Sequence, residues 1–314
     1  MMDVVLSISL LSLLSYGEVE DGQPSYDQRE LHTYTNLIRV DPLHWEADYG
    51  CETTDWTDNE RTSQSPLYYH EGLTEIAQMH TDEMADGDGL VHDSADGTPW
   101  EERVLPYYEG DTIGENVAFG YESAWDTLVL GWMCSTTGHR MNMMEPGFED
   151  LGTGIKESYY TQDFGGGADT MPYTVAMGVH TPEFPEELVT FYTTWNDFEA
   201  PVLLAVELRD ACVEMTRFAG TENQGAWSLE TEAESGCVPY RFYYEKADGD
   251  DGTLPENGSY QYGEDCELWV AEASEVCMRP SPCGCAASGT ASGWSILLLG
   301  LPLLARRRRA RVDD

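Results

Sequence analysis

Apolar positions along the chain change period as it proceeds, and each period predicts a different kind of element. From Tyr26 onward, Leu31, Tyr34, Leu37 and Ile38 recur three or four residues apart, the spacing of one helix face, until Asp41-Pro42 stops the run. Residues 43–70 keep no period and read as a long loop carrying Cys51. Leu73, Ile76, Ala77, His80 and Met84 share a second helical face, which Asp86-Gly87-Asp88-Gly89 ends. A third helix over residues 123–133 presents Trp125, Leu128, Val129 and Trp132. Residues 151–155 and 173–179 read as strands. Helices first and strands after predict an α+β layered domain over residues 18–185. Beyond Pro185 the period falls to two: Val202, Leu204, Val206 and Leu208 alternate, as do Val238, Tyr240, Phe242 and Tyr244. With Asp248-Gly249 and Asp251-Gly252 as hairpin turns, residues 186–270 predict a small antiparallel β-sandwich.

The two ends carry a different signal. Residues 4–14 form an apolar run too short to span a bilayer but suited to a signal peptide. Ser15 and Gly17 are small residues at the spacing a signal peptidase reads, so residues 1–17 are expected to be removed. Asp3 stands where such leaders usually carry Lys or Arg. At the other end a Cys-containing linker, residues 271–285, closes on Cys283-Gly284-Cys285. An uncharged stretch from 286 to 305 follows, and then Arg306-Arg307-Arg308-Arg309. About 20 uncharged residues suffice for one helical crossing, and the arginines would stay cytoplasmic. This order resembles the C-terminal sorting tails of myxobacterial surface proteins. The resemblance implies processing or lipid attachment at Cys283 or Cys285 and anchoring at the cell surface or outer membrane, so the membrane is met only through residues 286–314.

Charge narrows the partners. Lys and Arg number 16 against 58 Asp and Glu, a net charge of −42. Such a surface repels phosphate backbones and anionic head groups, which argues against nucleic acid. It implies strong solvation, and it suits saline surroundings where screening is high. Eight cysteines in an exported chain point to disulfides rather than catalysis. Leaving out Cys283 and Cys285, domain logic favours Cys51 with Cys134 and Cys237 with Cys266.

Four segments carry a family likeness. They are Asn36-Leu37-Ile38-Arg39; Val91-His92-Asp93-Ser94; Gly114-Glu115-Asn116-Val117-Ala118; and Trp132-Met133-Cys134-Ser135-Thr136-Thr137-Gly138-His139-Arg140-Met141-Asn142 with Leu151-Gly152-Thr153-Gly154-Ile155 after it. In order and spacing, residues 26–182 resemble the CAP superfamily (cysteine-rich secretory proteins, antigen 5, pathogenesis-related 1), of the bacterial SCP-like type. The resemblance implies a three-layer α-β-α sandwich with a central cleft lined by His92, Glu115 and His139. The family's usual second glutamate would fall near Ser135, where this chain has no acid. Two imidazoles and a carboxylate suit zinc or another divalent cation, with water as the fourth ligand. They suit acid–base chemistry equally, or a hydrogen-bonded brace. No Gly-x-Ser-x-Gly or His-Glu-x-x-His segment is present. Three functions therefore stand side by side. The first is a non-enzymatic surface module binding a small lipid-like ligand or an extracellular protein partner. The second is a metal-dependent extracellular hydrolase or peptidase. The third is a structural or adhesive protein with the β-domain as spacer.

Overall fold

The computed structural model describes residues 24–168, 173–209, 211–263, 266 and 276–277. The expected signal peptide 1–17, Cys283, Cys285 and the sorting tail 286–314 lie outside them. Among the described residues no helix is long and apolar enough to cross a membrane.

Helix α1 (Tyr26–Val40) opens on a capping box in which Ser25 and Gln28 satisfy each other's backbone N–H. The segment expected as loop is partly ordered: a 3-10 turn at Pro42–Trp45, a one-turn helix α2 (Asp58–Arg61) and a two-residue strand β1 (Tyr68–Tyr69). Caps from Asp41 and Thr57 create these turns, and caps leave no apolar period to read. Helix α3 (Glu71–Glu83) starts where His70 Nδ1 accepts the Leu73 N–H at 3.1 Å and runs into a π-type turn at Met84–Asp88. Helix α4 (Trp100–Val104) precedes strand β2 (Thr112–Phe119). Helix α5 (Ala124–Asp126) continues as a π-type turn, Thr127–Trp132, and α6 (His139–Met143) follows. Strands β3 (Asp150–Lys156) and β4 (Tyr159–Gly166) complete a sheet of order β1-β3-β4-β2.

Both faces of this sheet are covered. On one, Gly152 and Gly154 leave room for α3 to lie directly on β3; a Cβ on Gly152 would overlap the Leu73 backbone. On the other, Leu31 and Ile38 of α1 pack with Leu128, Trp132 and Leu151. The result is a three-layer α-β-α sandwich.

The alternating segments build two further sheets. Strands β5 (Gly178–Thr181), β6 (Leu188–Asn196), β7 (Leu203–Leu208), β8 (Ala211–Glu214), β9 (Thr216–Gly220), β10 (Gln224–Glu232), β11 (Val238–Glu245), β12 (Asp251–Leu254) and β13 (Tyr260–Tyr262) sort into β5-β6-β10-β9 and β12-β11-β7-β8, with β13 also on β11. Phe191, Trp195, Val206, Tyr240 and Phe242 fill the space between them. Two expectations are corrected here. Residues 173–179 do not form a strand of the first domain; the strand is Gly178–Thr181, and it pairs with β6 in the sandwich, which therefore starts before residue 186. Its His180 is fully buried against Phe191, Tyr240 and Tyr262, a contact only the second core offers. Asp251-Gly252 is not a turn either, because Asp251 already pairs with Glu245 in the ladder.

Helix α1 is the shared layer. Leu37 and Val40 pack on Ala219 and Ala226 of the β5-β6-β10-β9 sheet. Covered on both sides, twelve of its fifteen residues are buried, many of them polar. Each such group needs a partner. Asn36 exchanges hydrogen bonds with the Leu67 backbone at 2.8 and 2.9 Å, and Arg39 donates to Ser65 O and Met143 O.

Three disulfides staple the chain: Cys51–Cys134, Cys212–Cys277 and Cys237–Cys266, with Cα separations of 5.6, 5.1 and 4.8 Å. The first and third are the pairs favoured from sequence. Cys51–Cys134 closes a span of 83 residues. In the chain-entropy account, Cys51→Ala/Cys134→Ala loses about 3–5 kcal/mol of stability. Urea unfolding of the double variant measures this, and a loss under about 1 kcal/mol would contradict it.

Candidate functional site

The site is assembled from four elements. Glu115 sits in the middle of β2 with its side chain fully buried. Its Oε1 meets His92 Nδ1 at 2.8 Å, and its Oε2 is ion-paired with Arg103 of α4. Arg103 also donates to His92 O at 2.7 Å and to Ser94 Oγ at 3.3 Å, so one guanidinium ties the loop to the carboxylate. His80 of α3 steadies the same loop through Val91 O at 2.9 Å. His80 is itself buried.

His139 opens α6 after Gly138, whose φ of 121° lets the chain turn sharply inward. Its carbonyl accepts Asn116 Nδ2 at 3.1 Å, while Asn142 Nδ2 donates to Glu115 O and to Asn116 Oδ1. Arg140 clamps the turn from outside, donating to Met133 O and pairing with Glu60 at 2.8 Å above the Trp56 ring. Cys134, five residues before His139, is held by Cys51. His92 lies directly on Glu115, and His139, whose carbonyl is bonded to Asn116, is within electrostatic reach of His92. Ser135 does not enter the site; it exchanges a hydrogen bond with Thr137 and shapes the exposed turn.

The two imidazoles are tuned in opposite directions. The hydrogen bond to Glu115 raises His92, outweighing the effect of burial. Burial lowers His139, and the nearby His92 charge lowers it further. His92 keeps 46% of its side chain exposed. It opens on a cleft of about 490 Å³ lined by Val91, His92, Asp93, Ser94 and Ala95.

These residues do not fit a divalent cation. Both oxygens of Glu115 are engaged, and Arg103 already neutralises its charge. Among the described residues no three His, Cys, Asp or Glu side chains form a cation-holding group. The arrangement is a braced imidazole, with Glu115 holding Nδ1 of His92 while the ring stays half-exposed.

Two functional residues escaped the sequence pattern. Arg103 lies in a short helix with no period of its own. Asp163, on β4 opposite Glu115, is completely buried, yet it sits in the strand Tyr-Tyr-Thr-Gln-Asp-Phe-Gly-Gly, which has no alternation to read. Asn116–Gln162 and Thr81–Thr161 hydrogen bonds show why that strand is polar: it is central, and its side chains pair inside.

Residues 32–174 match the family model described as CAP, cysteine-rich secretory protein family. The uncharacterized protein YkwD of Bacillus subtilis (strain 168) is 32% identical over 121 residues, 37% of this chain and 46% of that protein. The uncharacterized membrane protein YlbC of the same organism is 27% identical over 138 residues, 44% of this chain and 34% of that protein. This chain thus spans less than half the length of the curated relatives it matches. Among solved structures, an extracellular protein containing a SCP domain from Bacillus anthracis str. Ames aligns with 24% identity and a TM-score of 0.35, over 44% of this chain and 40% of that one.

Proposed function

We propose, from the match of residues 32–174 to the model of the CAP, cysteine-rich secretory protein family, that this is an exported, non-enzymatic module that binds a small amphiphilic ligand at the cleft beside His92. One observation carries the reading. Glu115 is closed off by His92 and Arg103, so it orients an imidazole and is not free as a base or metal ligand. Nearby hydroxyls are also occupied: Ser94 accepts from Arg103, and Ser135 and Thr137 pair with each other. What the cleft offers a ligand is the His92 ring with the apolar Val91 and Ala95 and the polar Asp93 and Ser94 around it. Three disulfides support export, since such bonds persist in oxidising compartments. Surface anchoring through residues 283–314 belongs to the same proposal.

The test is extraction and mass spectrometry of protein purified after native export, beside His92→Ala and His139→Ala. Wild type should retain one class of small amphiphile, and each variant should lose it tenfold or more (about 1.4 kcal/mol). Peptide or ester hydrolysis by wild type that His139→Ala abolishes would replace this reading with an enzymatic one.

A further inference from the structure

Asp163 lies beneath the cleft and takes no part in the bracing just described. It faces Glu115 across the β2–β4 ladder and Gly152 across β3–β4, so its carboxyl shares their side of the sheet. Gly152 offers no side chain there, and the α3 backbone closes the space above it. Neither Asp163 oxygen has a hydrogen-bond donor. Two charged groups act on it: Glu115 from β2 and Arg103 from α4. Farther along the same face of β3, Asp150 is occupied by the Tyr108 hydroxyl at 2.7 Å.

The charges do not balance if both carboxyls are ionised. One guanidinium serves two buried carboxyls, and Arg103 is already committed to Glu115, His92 O and Ser94. A carboxylate buried with no hydrogen-bond donor, and with its nearest cation already paired to another carboxylate, is costly enough that the group takes up a proton instead. We propose that Asp163 is a neutral carboxylic acid at neutral pH, and that its proton keeps the Arg103–Glu115 pair electrically closed so that His92 responds to Glu115 alone. Burial and then the Glu115 charge act in this sense on Asp163, against the pull of Arg103. Were Asp163 ionised, a second negative charge under Glu115 would hold His92 protonated further up the pH scale. The ligand-facing role of His92 rests on the function proposed above; the proton on Asp163 does not.

Infrared difference spectroscopy of wild type against Asp163→Asn at pH 7 tests the proton directly. Wild type should show a protonated-carboxyl carbonyl band that Asp163→Asn lacks. NMR titration of His92 should give the same midpoint in both proteins, and a lower midpoint in Glu115→Gln. Absence of the band in wild type would overturn the proposal, and so would a His92 midpoint that falls by a unit or more in Asp163→Asn. The band is a property of wild type itself, so it can be sought in ligand-free protein even if Glu115→Gln fails to fold. A retained band with no ligand ever found would sink the binding function and leave the Asp163 assignment standing.

Discussion

Arg29→Ala should destabilise residues 24–263 as one unit, by about 3–5 kcal/mol, from lost buried hydrogen bonds and the cavity left by a large side chain together. Arg29 stands on α1, the helix common to both halves. Its guanidinium donates to the Tyr240 hydroxyl at 2.9 Å and to Gly178 O at 3.4 Å, both in the β-sandwich. It also lies 3.9 Å from the centre of the Tyr260 ring, close enough for a strong cation–π contact. Truncation removes these contacts together and opens a cavity between α1 and two sheets. The effect should appear in both halves because α1 also carries Leu31 and Ile38 into the first core. A single calorimetric transition, shifted down, is the expected result. Two transitions, with the sandwich melting on its own at the wild-type temperature, would show that the second domain is the independent spacer which the sequence alone left open.

How far the sequence could be read follows from which residues had to satisfy polar groups. Leu31, Leu37 and Ile38 marked α1 almost to the residue, because they line two apolar cores at helical spacing. The same spacing could not show that Arg29, His32, Asn36 and Arg39 are buried as well. Arg29 is met by Gly178 and Tyr240 of the sandwich, His32 and Asn36 by the Leu67 backbone, and Arg39 by Ser65 and Met143, and no local window contains those partners. Strands β7 and β11 were legible because one face of each meets the sandwich core, which leaves a period of two. Strands β2 and β4 were not: β4 is central and buried on both faces between the helix layers, β2 at the sheet edge is covered by α4 and α6, and both bury polar groups. The site divides in the same way. His92, Glu115 and His139 stood out through the CAP-like motifs around them. Arg103, which pairs with Glu115, and Asp163, which faces it across the ladder, lie outside those motifs and are recognisable only once β2, β4 and α4 are brought together.

Mild acid should weaken the fold, and two fully buried histidines set the size of the effect. His32 of α1 donates through Nε2 to Leu67 O at 2.9 Å, while its Nδ1 has no partner. His180 of β5 sits in a directed chain: Arg29 donates to the Tyr240 oxygen, the Tyr240 hydroxyl donates to His180 Nδ1 at 2.9 Å, and Nε2 donates to Glu183 O at 3.1 Å. A proton on either Nδ1 would be buried without an acceptor or would break that chain. Burial accordingly lowers His32 to about 4 and His180 to about 3, with the Arg29 charge adding to the second. Because the folded values lie below the unfolded one near 6.5, the stability these residues contribute is complete above pH 6.5 and is lost as the pH falls through the window down to 3–4. At pH 5 each histidine has cost about 2 kcal/mol relative to pH 7, at about 1.4 kcal/mol per pH unit. Two carboxyls at the domain junction act in the opposite sense. Burial raises Glu183 to about 7 and Glu30 to about 6, so the penalty for ionising them is relieved as the pH falls toward 4.5. Both are partly exposed, and solvent screening reduces their share to a fraction of the histidine loss. Urea midpoints at pH 7 and pH 5 should therefore show a net loss of a few kcal/mol, reduced by about half in His180→Gln. Equal or greater stability at pH 5 would mean that Glu30 and Glu183, and not the buried imidazoles, control the junction.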